Sequence, residues 1–109
     1  MWSILFYKDR RGKSPPLEFI EELPMMEQAK IRNALRLLQE FGTKLAMPHA
    51  KPIQGKLWEL RPGGIRLFYF AYIEQQFVIL HGYRKQSQKA PGGEIAIALR
   101  RMQELMDEV

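Results

Sequence analysis

Residues 57–83 read LWELRPGGIRLFYFAYIEQQFVILHGY, and three short apolar runs make up most of this segment. The runs span residues 57–61, 65–73 and 77–83, and they are separated by Pro62-Gly63-Gly64 and by Glu74-Gln75-Gln76. Short apolar runs joined by brief turns are typical of consecutive antiparallel strands. The segment therefore predicts an antiparallel meander.

The middle run presents a different set of side chains on each face, because side chains alternate along a strand. One face has Arg66, Phe68, Phe70 and Tyr72, and the other has Ile65, Leu67, Tyr69, Ala71 and Ile73. Both sets are largely apolar, so both faces of the sheet need cover. Helices on one side alone cannot supply it.

The flanking segments predict one more strand and three helices. Residues 2–8 are mostly aromatic and aliphatic and predict a strand, while Ser14-Pro15 suits the start of a short helix that ends near Pro24. Apolar residues at helical spacing predict helices over 25–41 and 94–107, and Gly42 suits the left-handed position after the first of these. Residues 43–55 mix prolines and cations without periodicity and predict a loop.

Length and composition favour one α+β domain over residues 1–109, because two domains would be too small to bury stable cores. The chain has no cysteine and two histidines, so disulfides and a structural zinc site are not expected. No apolar run approaches the length of a membrane span. We therefore expect a soluble, cytoplasmic protein without a metal or cofactor.

The positive charge is concentrated in the predicted sheet and its loops. The formal net charge is +5, and residues 43–89 alone contain eight Lys or Arg against two Asp or Glu. Such a segment suits an anionic partner such as a nucleic acid. The motifs of nucleotide-binding loops, serine hydrolases and zinc proteases are missing, so any chemistry must come from scattered strand residues.

Cations and aromatic side chains on neighbouring strands are the candidates for that chemistry: Arg61, Arg66, Arg84 and Lys85, with Tyr69, His81 and Tyr83 among them. Guanidinium groups bind phosphate oxygens and stabilise charge in a transition state, and aromatic rings stack on RNA bases. RNA supplies its own 2′-hydroxyl as nucleophile. The pattern is therefore compatible with a metal-independent ribonuclease.

Each candidate also has a structural interpretation. Arg61 could simply pair with Glu59, His81 could be a hydrogen-bonded core histidine, and Arg84, Lys85 and Lys89 could be solvated loop charges. Arg66 opens an otherwise aromatic strand face, which is an unusual place for an unpaired cation. Neither Arg66 nor Lys85 is expected to be needed for the core.

Residues 57–70 and 79–98 together resemble the HigB-like, phage-derived branch of the RelE/ParE toxin superfamily. The similar segments are LWELRPGGIRLFYF, then ILHGYRKQSQKAP, then EIAIA. The resemblance implies a small twisted antiparallel sheet of three or four strands, with two N-terminal helices packed on it and a C-terminal helix. It also implies the toxin of a type II toxin–antitoxin pair, which cuts mRNA on the 70S ribosome and is held inert by a helix-turn-helix, HigA-like antitoxin.

Carried over by motif position, the resemblance assigns Arg66 to the scissile phosphate, Lys85 or Arg84 to a second phosphate contact and Arg61 to a less decisive basic position. His81 and Tyr83 are further catalytic candidates from their place among these cations, not from the resemblance. The basic segment itself supplies a supporting set of candidates for RNA binding, namely Arg61, Lys56, Lys51, His49 and Lys89. RelE itself has lysines where this chain has Leu57 and Glu59, and a near-terminal tyrosine where this chain continues as a helix. The acid–base pair therefore stays open among His81, Tyr83 and His49.

Two other functions are compatible with the same sequence. ParE-like relatives bind DNA gyrase without catalytic residues, and a non-cleaving RNA-binding or phage regulatory protein needs only the basic segment. The cations clustered with aromatic residues favour the ribonuclease over both.

Overall fold

The computed structural model describes residues 1–87 and 91–109, so the predicted RNA-binding residue Lys89 lies outside the described part. In chain order, the elements are β1 (Ser3–Phe6), α1 (Pro15–Glu21), α2 (Met25–Phe41), a 3-10 turn (Gly42–Lys44), β2 (Ala50–Gln54), β3 (Leu57–Leu60), β4 (Ile65–Ala71), β5 (Gln76–Arg84) and α3 (Gly92–Asp107). The predicted α+β class and the three predicted helices are confirmed.

The strands form one mixed sheet in the order β1-β5-β4-β3-β2. The predicted meander is confirmed, since β3 pairs with β4 and β4 with β5, both antiparallel. The predicted count of three or four antiparallel strands is wrong. The sheet has five strands, and β1 joins it parallel to β5.

The fifth strand, β2, lies in the segment predicted to be a loop. Residues 50–54 read AKPIQ, and proline at their centre argued against a strand. Pro52 is tolerated because β2 is the edge strand, where one side of the backbone has no partner to receive an N–H. The prediction failed because edge position depends on the whole sheet rather than on local sequence.

Helices cover both faces of the sheet. The α1/α2 face has a core that includes Ile31 and Leu38 of α2 with Leu67 and Ile79 of the sheet. The opposite α3 face buries Phe68, Phe70, Val78 and Leu80 beneath a helix stripe formed by Ile95, Ala98, Leu99, Met102 and Leu105. Among the described residues, no helix has both the length and the apolarity required to cross a membrane.

Helix boundaries follow the predicted signals. The Ser14 hydroxyl accepts a hydrogen bond from the Leu17 N–H, and Pro15 occupies the first turn of α1. Helix α2 ends at Gly42, whose φ is 59° and whose N–H donates to the Leu38 carbonyl. The Trp2 indole lies where a side chain on Gly42 would lie, so this glycine also allows β1 to approach the end of α2.

A bulge in β5 changes which residues face each helix layer. Phe68 pairs with His81 but Tyr69 pairs with Ile79, so Leu80 has no residue opposite it on β4. Leu80 belongs to the core of the α3 face, and His81, next along the strand, stacks on Phe68 of that same face. Gly82 then faces Phe19 and Leu67 on the α1/α2 face.

Gly82→Ala tests this packing. A Cβ at Gly82 would lie 2.7 Å from Phe19 Cδ2 and 2.8 Å from Leu67 Cδ2, closer than carbon atoms can pack. Overpacking of this kind costs about 1–3 kcal/mol, which we expect as a lower free energy of unfolding in urea. Gly64→Ala is the control, because no atom lies within 4 Å of its Cβ position. Equal stability of the two variants would contradict the packing described here.

Candidate functional site

Two arginines and one glutamate meet on the α3 face, near the β3–β4 turn. Glu59 Oε1 lies 3.9 Å from Arg66 Nε and 3.7 Å from Arg61 Nε, and Glu59 Oε2 accepts a hydrogen bond of 3.1 Å from the Tyr83 hydroxyl. Glu59 and Arg66 are 4% and 6% exposed. We call these four residues, Glu59, Arg61, Arg66 and Tyr83, the arginine cluster.

Strand pairing places the cluster. Glu59 of β3 lies opposite Phe68 of β4, and Arg66 of β4 lies opposite Tyr83 of β5. Because cross-strand partners point to the same face, all of these side chains lie on the α3 face. The structural interpretation of Arg61 as a partner of Glu59 is thus confirmed, and Arg66 shares the same carboxylate.

Arg66 is part of the buried structure, so the expectation that it stands outside the core is wrong. Its Nη1 donates to the carbonyls of Gly63 and Ile65 at 2.8 and 2.9 Å. Burial, followed by repulsion from Arg61, lowers the pKa of the Arg66 guanidinium from its ordinary value. Arginine nevertheless keeps its charge in proteins, so Arg66 is a fixed cation beside the turn.

Tyr83 is held as a neutral phenol. Burial is the main reason that its pKa rises well above the ordinary tyrosine value, and the charge of Glu59 raises it further. A phenol with a raised pKa is a poor general base because its anion is costly. Of the acid–base candidates, Tyr83 is therefore suited to orienting Glu59 through its hydrogen bond and unsuited to removing a proton.

His81 extends this polar row toward α3. Its Nε2 lies 2.5 Å from Glu94 Oε1, and its Nδ1 lies 3.4 Å from Arg101 Nη1. Its ring is near parallel to Phe68 and Tyr83, with centroid separations of 6.4 and 6.3 Å. Sequence reasoning missed Glu94 and Arg101, because only the packing of α3 on β5 brings them to this histidine.

The two cations after β5 have different positions. The backbone N–H of Lys85 donates to the Gly64 carbonyl at 2.8 Å, so Lys85 lies beside the same turn as Arg66. Arg84 points to the α1/α2 face, where its guanidinium binds the Glu27 carboxylate of α2 at 2.5 and 2.8 Å. The structure therefore does not bring the Arg84 side chain together with that of Arg66.

The remaining predicted RNA-binding residues do not form one surface. Lys51 is exposed on β2 opposite Glu59, on the same face as the arginine cluster. Lys56 instead lines a cavity on the α1/α2 face, and His49 lines a groove between α2 and the β3–β4 turn. Within the described ranges, no three His, Asp or Glu side chains are grouped as a metal site would require.

Glu59→Gln tests the electrostatic role of this carboxylate. The amide keeps the shape of Glu59 but leaves Arg66 and Arg61 without a neutralising charge. Breaking a buried ion pair in this way costs about 3 kcal/mol, measured as the free energy of unfolding. The control is Glu40→Gln, since Glu40 pairs with Arg36 on the exposed surface of α2 and should contribute less than about 0.5 kcal/mol. Similar losses in both variants would contradict the buried pairing.

Comparison with known proteins identifies both a family and a fold. The model of the family described as Phage derived protein Gp49-like matches residues 18–103. The crystal structure of the isolated E. coli RelE toxin, P21 form, is similar with a TM-score of 0.52 over 94% of this chain and 99% of that chain. Sequence identity to RelE is 17%, so this likeness concerns the fold. No curated protein sequence matches the chain significantly.

The match over residues 18–103 covers most of the chain, and the similar structure extends over almost all of it. The resemblance predicted from residues 57–98 is thus confirmed for family and fold. The protein belongs to the phage-derived Gp49-like family and has the fold of a RelE toxin.

Proposed function

We propose that the protein is the toxin of a type II toxin–antitoxin pair and cuts mRNA on the ribosome through the RNA 2′-hydroxyl. The observation that supports this best is the arginine cluster, in which a fixed guanidinium, a carboxylate and a phenol share one sheet face with His81. The fold and family agree with a toxin. The ribonuclease activity itself is our inference from the side chains.

Arg66 is the proposed ligand of the scissile phosphate, with Lys85 as the second cation. Both are held at the β3–β4 turn, Arg66 through the Gly63 carbonyl and Lys85 through the Gly64 carbonyl. The contact of Arg66 orders its guanidinium, so that cost is met in folding rather than on binding, whereas the contact of Lys85 fixes its backbone beside the same turn. Lys51 and Arg61 extend positive charge along the same face.

Glu59 and His81 are the proposed proton-transfer groups. The 2′-oxygen attacks phosphorus while its proton passes to the Glu59 carboxylate, and the bond from phosphorus to the 5′-oxygen breaks as His81 gives that oxygen a proton. The products are a 2′,3′-cyclic phosphate and a 5′-hydroxyl. The Glu94 carboxylate lies 2.5 Å from Nε2 of the ring and fixes the orientation of the imidazole.

Arg66→Lys and Lys85→Ala test this site. Lysine keeps the charge that Glu59 needs but loses the planar donor geometry, so the fold is expected to survive while ribosome-dependent cleavage falls about a hundredfold. Lys85→Ala removes a half-buried charge and should lower cleavage similarly. Primer extension on ribosome-bound mRNA measures both, with the exposed Arg36→Ala on α2 as the control that keeps full activity.

The chemical route has its own readout in the same assay. A message with a 2′-deoxy nucleotide at the cut position should resist cleavage, because the proposed nucleophile is missing. Cleavage of that message, or full activity of folded Arg66→Lys, would contradict the proposal. Growth arrest with gyrase-dependent DNA damage and intact mRNA would instead favour the ParE-like alternative, and RNA binding without cleavage would favour a regulatory protein.

We also propose a helix-turn-helix, HigA-like antitoxin as partner. Helix α3 covers one face of the sheet and leaves no room for a partner there. The groove between α2 and the β3–β4 turn is a better site, because it joins apolar Met26, Ala29 and Leu37 with cationic Lys30 and Arg61. This combination suits an acidic segment with apolar anchors.

Co-purification tests the partnership. With a tag on the neighbouring helix-turn-helix protein alone, this chain should be recovered at equal stoichiometry. Met26→Glu should reduce recovery at least tenfold, since it places a negative charge in the apolar part of the groove at a side chain that is already 78% exposed. Val109→Glu, at an exposed terminus, is the control. The pairing would be contradicted if the tagged protein recovered neither the wild-type chain nor either variant.

A further inference from the structure

A partly open cavity lies on the α1/α2 face, beyond the end of α2. Its volume is about 260 Å³, and we call it the aromatic cavity, lined by Thr43, Lys56, Trp58, Tyr69, Ala71 and Phe77. Strand pairing builds its floor, because Trp58 lies opposite Tyr69 and Ala71 lies opposite Phe77. The Trp2 ring stacks on Phe77 at 4.2 Å, and Tyr69 meets Phe77 edge to face at 5.4 Å.

The size and walls of the aromatic cavity suit a flat ring system. An apolar cavity of about 150 Å³ is sufficient to bind benzene, so 260 Å³ leaves room for a larger ring. Three aromatic walls favour stacking over the packing of a branched aliphatic chain. A bicyclic ring is therefore a better match than a single methyl or isobutyl group.

The Tyr69 hydroxyl indicates that the occupant has a polar edge. Tyr69 is 3% exposed as a whole residue, and its hydroxyl, which has no hydrogen-bond partner among the described residues, remains accessible to solvent. The other three tyrosines each have one: Tyr7 donates to Glu104, Tyr72 to the Leu105 carbonyl, and Tyr83 to Glu59. An aliphatic occupant would leave this hydroxyl unpaired, a loss of about fivefold or more in affinity. A ring nitrogen or exocyclic oxygen would satisfy it.

The charge at the rim indicates an anion attached to that ring. The exposed residues Lys56 and Thr43 both line the aromatic cavity. No carboxylate lines the cavity to neutralise Lys56. We propose that the aromatic cavity binds a nucleoside phosphate, with the base between the aromatic walls, its polar edge at Tyr69 and its phosphate at Lys56.

This site is separate from the proposed ribonuclease site. Arg66 lies near the start of β4 on one face, whereas Tyr69 and Ala71 lie on the opposite face near its end. Ala71 lies five positions after Arg66, a distance of about 16 Å along the strand. The proposal therefore stands whether or not the arginine cluster cleaves RNA.

Titration of the whole chain with defined probes tests the proposal. We expect AMP to bind more tightly than adenosine or ribose 5-phosphate, each of which lacks one of the two groups recognised. Quenching of tryptophan fluorescence and calorimetry can follow binding, because Trp58 forms one wall. A trinucleotide of adenylate distinguishes the source of the ligand: tighter binding than AMP indicates RNA, and weaker binding indicates a free nucleotide.

Two substitutions separate ligand recognition from structure. Tyr69→Phe should lower the affinity for AMP about fivefold or more while leaving the melting temperature unchanged or higher, since it removes a hydroxyl that has no partner in the described structure. Lys56→Met should lower the affinity for AMP but not the affinity for adenosine. Lys13→Met, in the turn after β1, should lower neither affinity. A lower melting temperature for Tyr69→Phe with unchanged AMP affinity would overturn the proposal. So would equal affinity for AMP and ribose 5-phosphate, or no binding of AMP by folded protein.

Discussion

Burial of β4 on both faces is the constraint on which the rest of the structure depends. Six of its seven residues are buried, and its side chains contribute to two separate cores. A strand of this kind is stable only when helices cover both sides of the sheet, which here requires α1 and α2 on one face and α3 on the other. Polar function is consequently confined to places that the helices leave open. The arginine cluster lies near the start of β4 on the α3 face, and the aromatic cavity lies near its end on the α1/α2 face.

The bulge at Leu80 determines which side chains reach the proposed ribonuclease site. If the side chains of β5 alternated regularly through Leu80, His81 would point toward the α1/α2 core, where Phe19 and Leu67 already pack closely. With it, His81 and Tyr83 both point to the α3 face and stack on each other, and Gly82 takes the position that has no space for a side chain. One irregular residue therefore places histidine and tyrosine beside the arginine cluster, and one glycine allows the strand to continue.

Local patterns predicted those elements whose stability is mainly local. The meander and helices α2 and α3 follow from apolar spacing, and the pairing of Arg61 with Glu59 follows from their positions two apart on one strand. Contacts between distant segments left no such signal. The partner of Arg84 is Glu27, 57 positions away, and those of His81 lie on α3. The strand β2 was missed because its proline is acceptable only at a sheet edge. A lone carboxylate between the apolar Trp58 and Leu60 was a usable sign that Glu59 is buried and paired.

The charge of the arginine cluster suits a phosphodiester both before and during the proposed reaction. The two guanidinium groups and the one carboxylate give the arginine cluster a net charge of +1. This charge is opposite and equal to the single negative charge of the substrate phosphate. Arg61 Nε is buried without a hydrogen-bond partner among the described residues, so a donor remains unused at rest. As the 2′-oxygen attacks, negative charge grows on the phosphorane while Glu59 takes up the proton and becomes neutral. Neutral Glu59 no longer forms ion pairs with Arg61 and Arg66, so both guanidinium groups can then stabilise the phosphorane. Stabilisation would therefore increase from ground state to transition state, which is the condition for catalysis rather than for tight substrate binding.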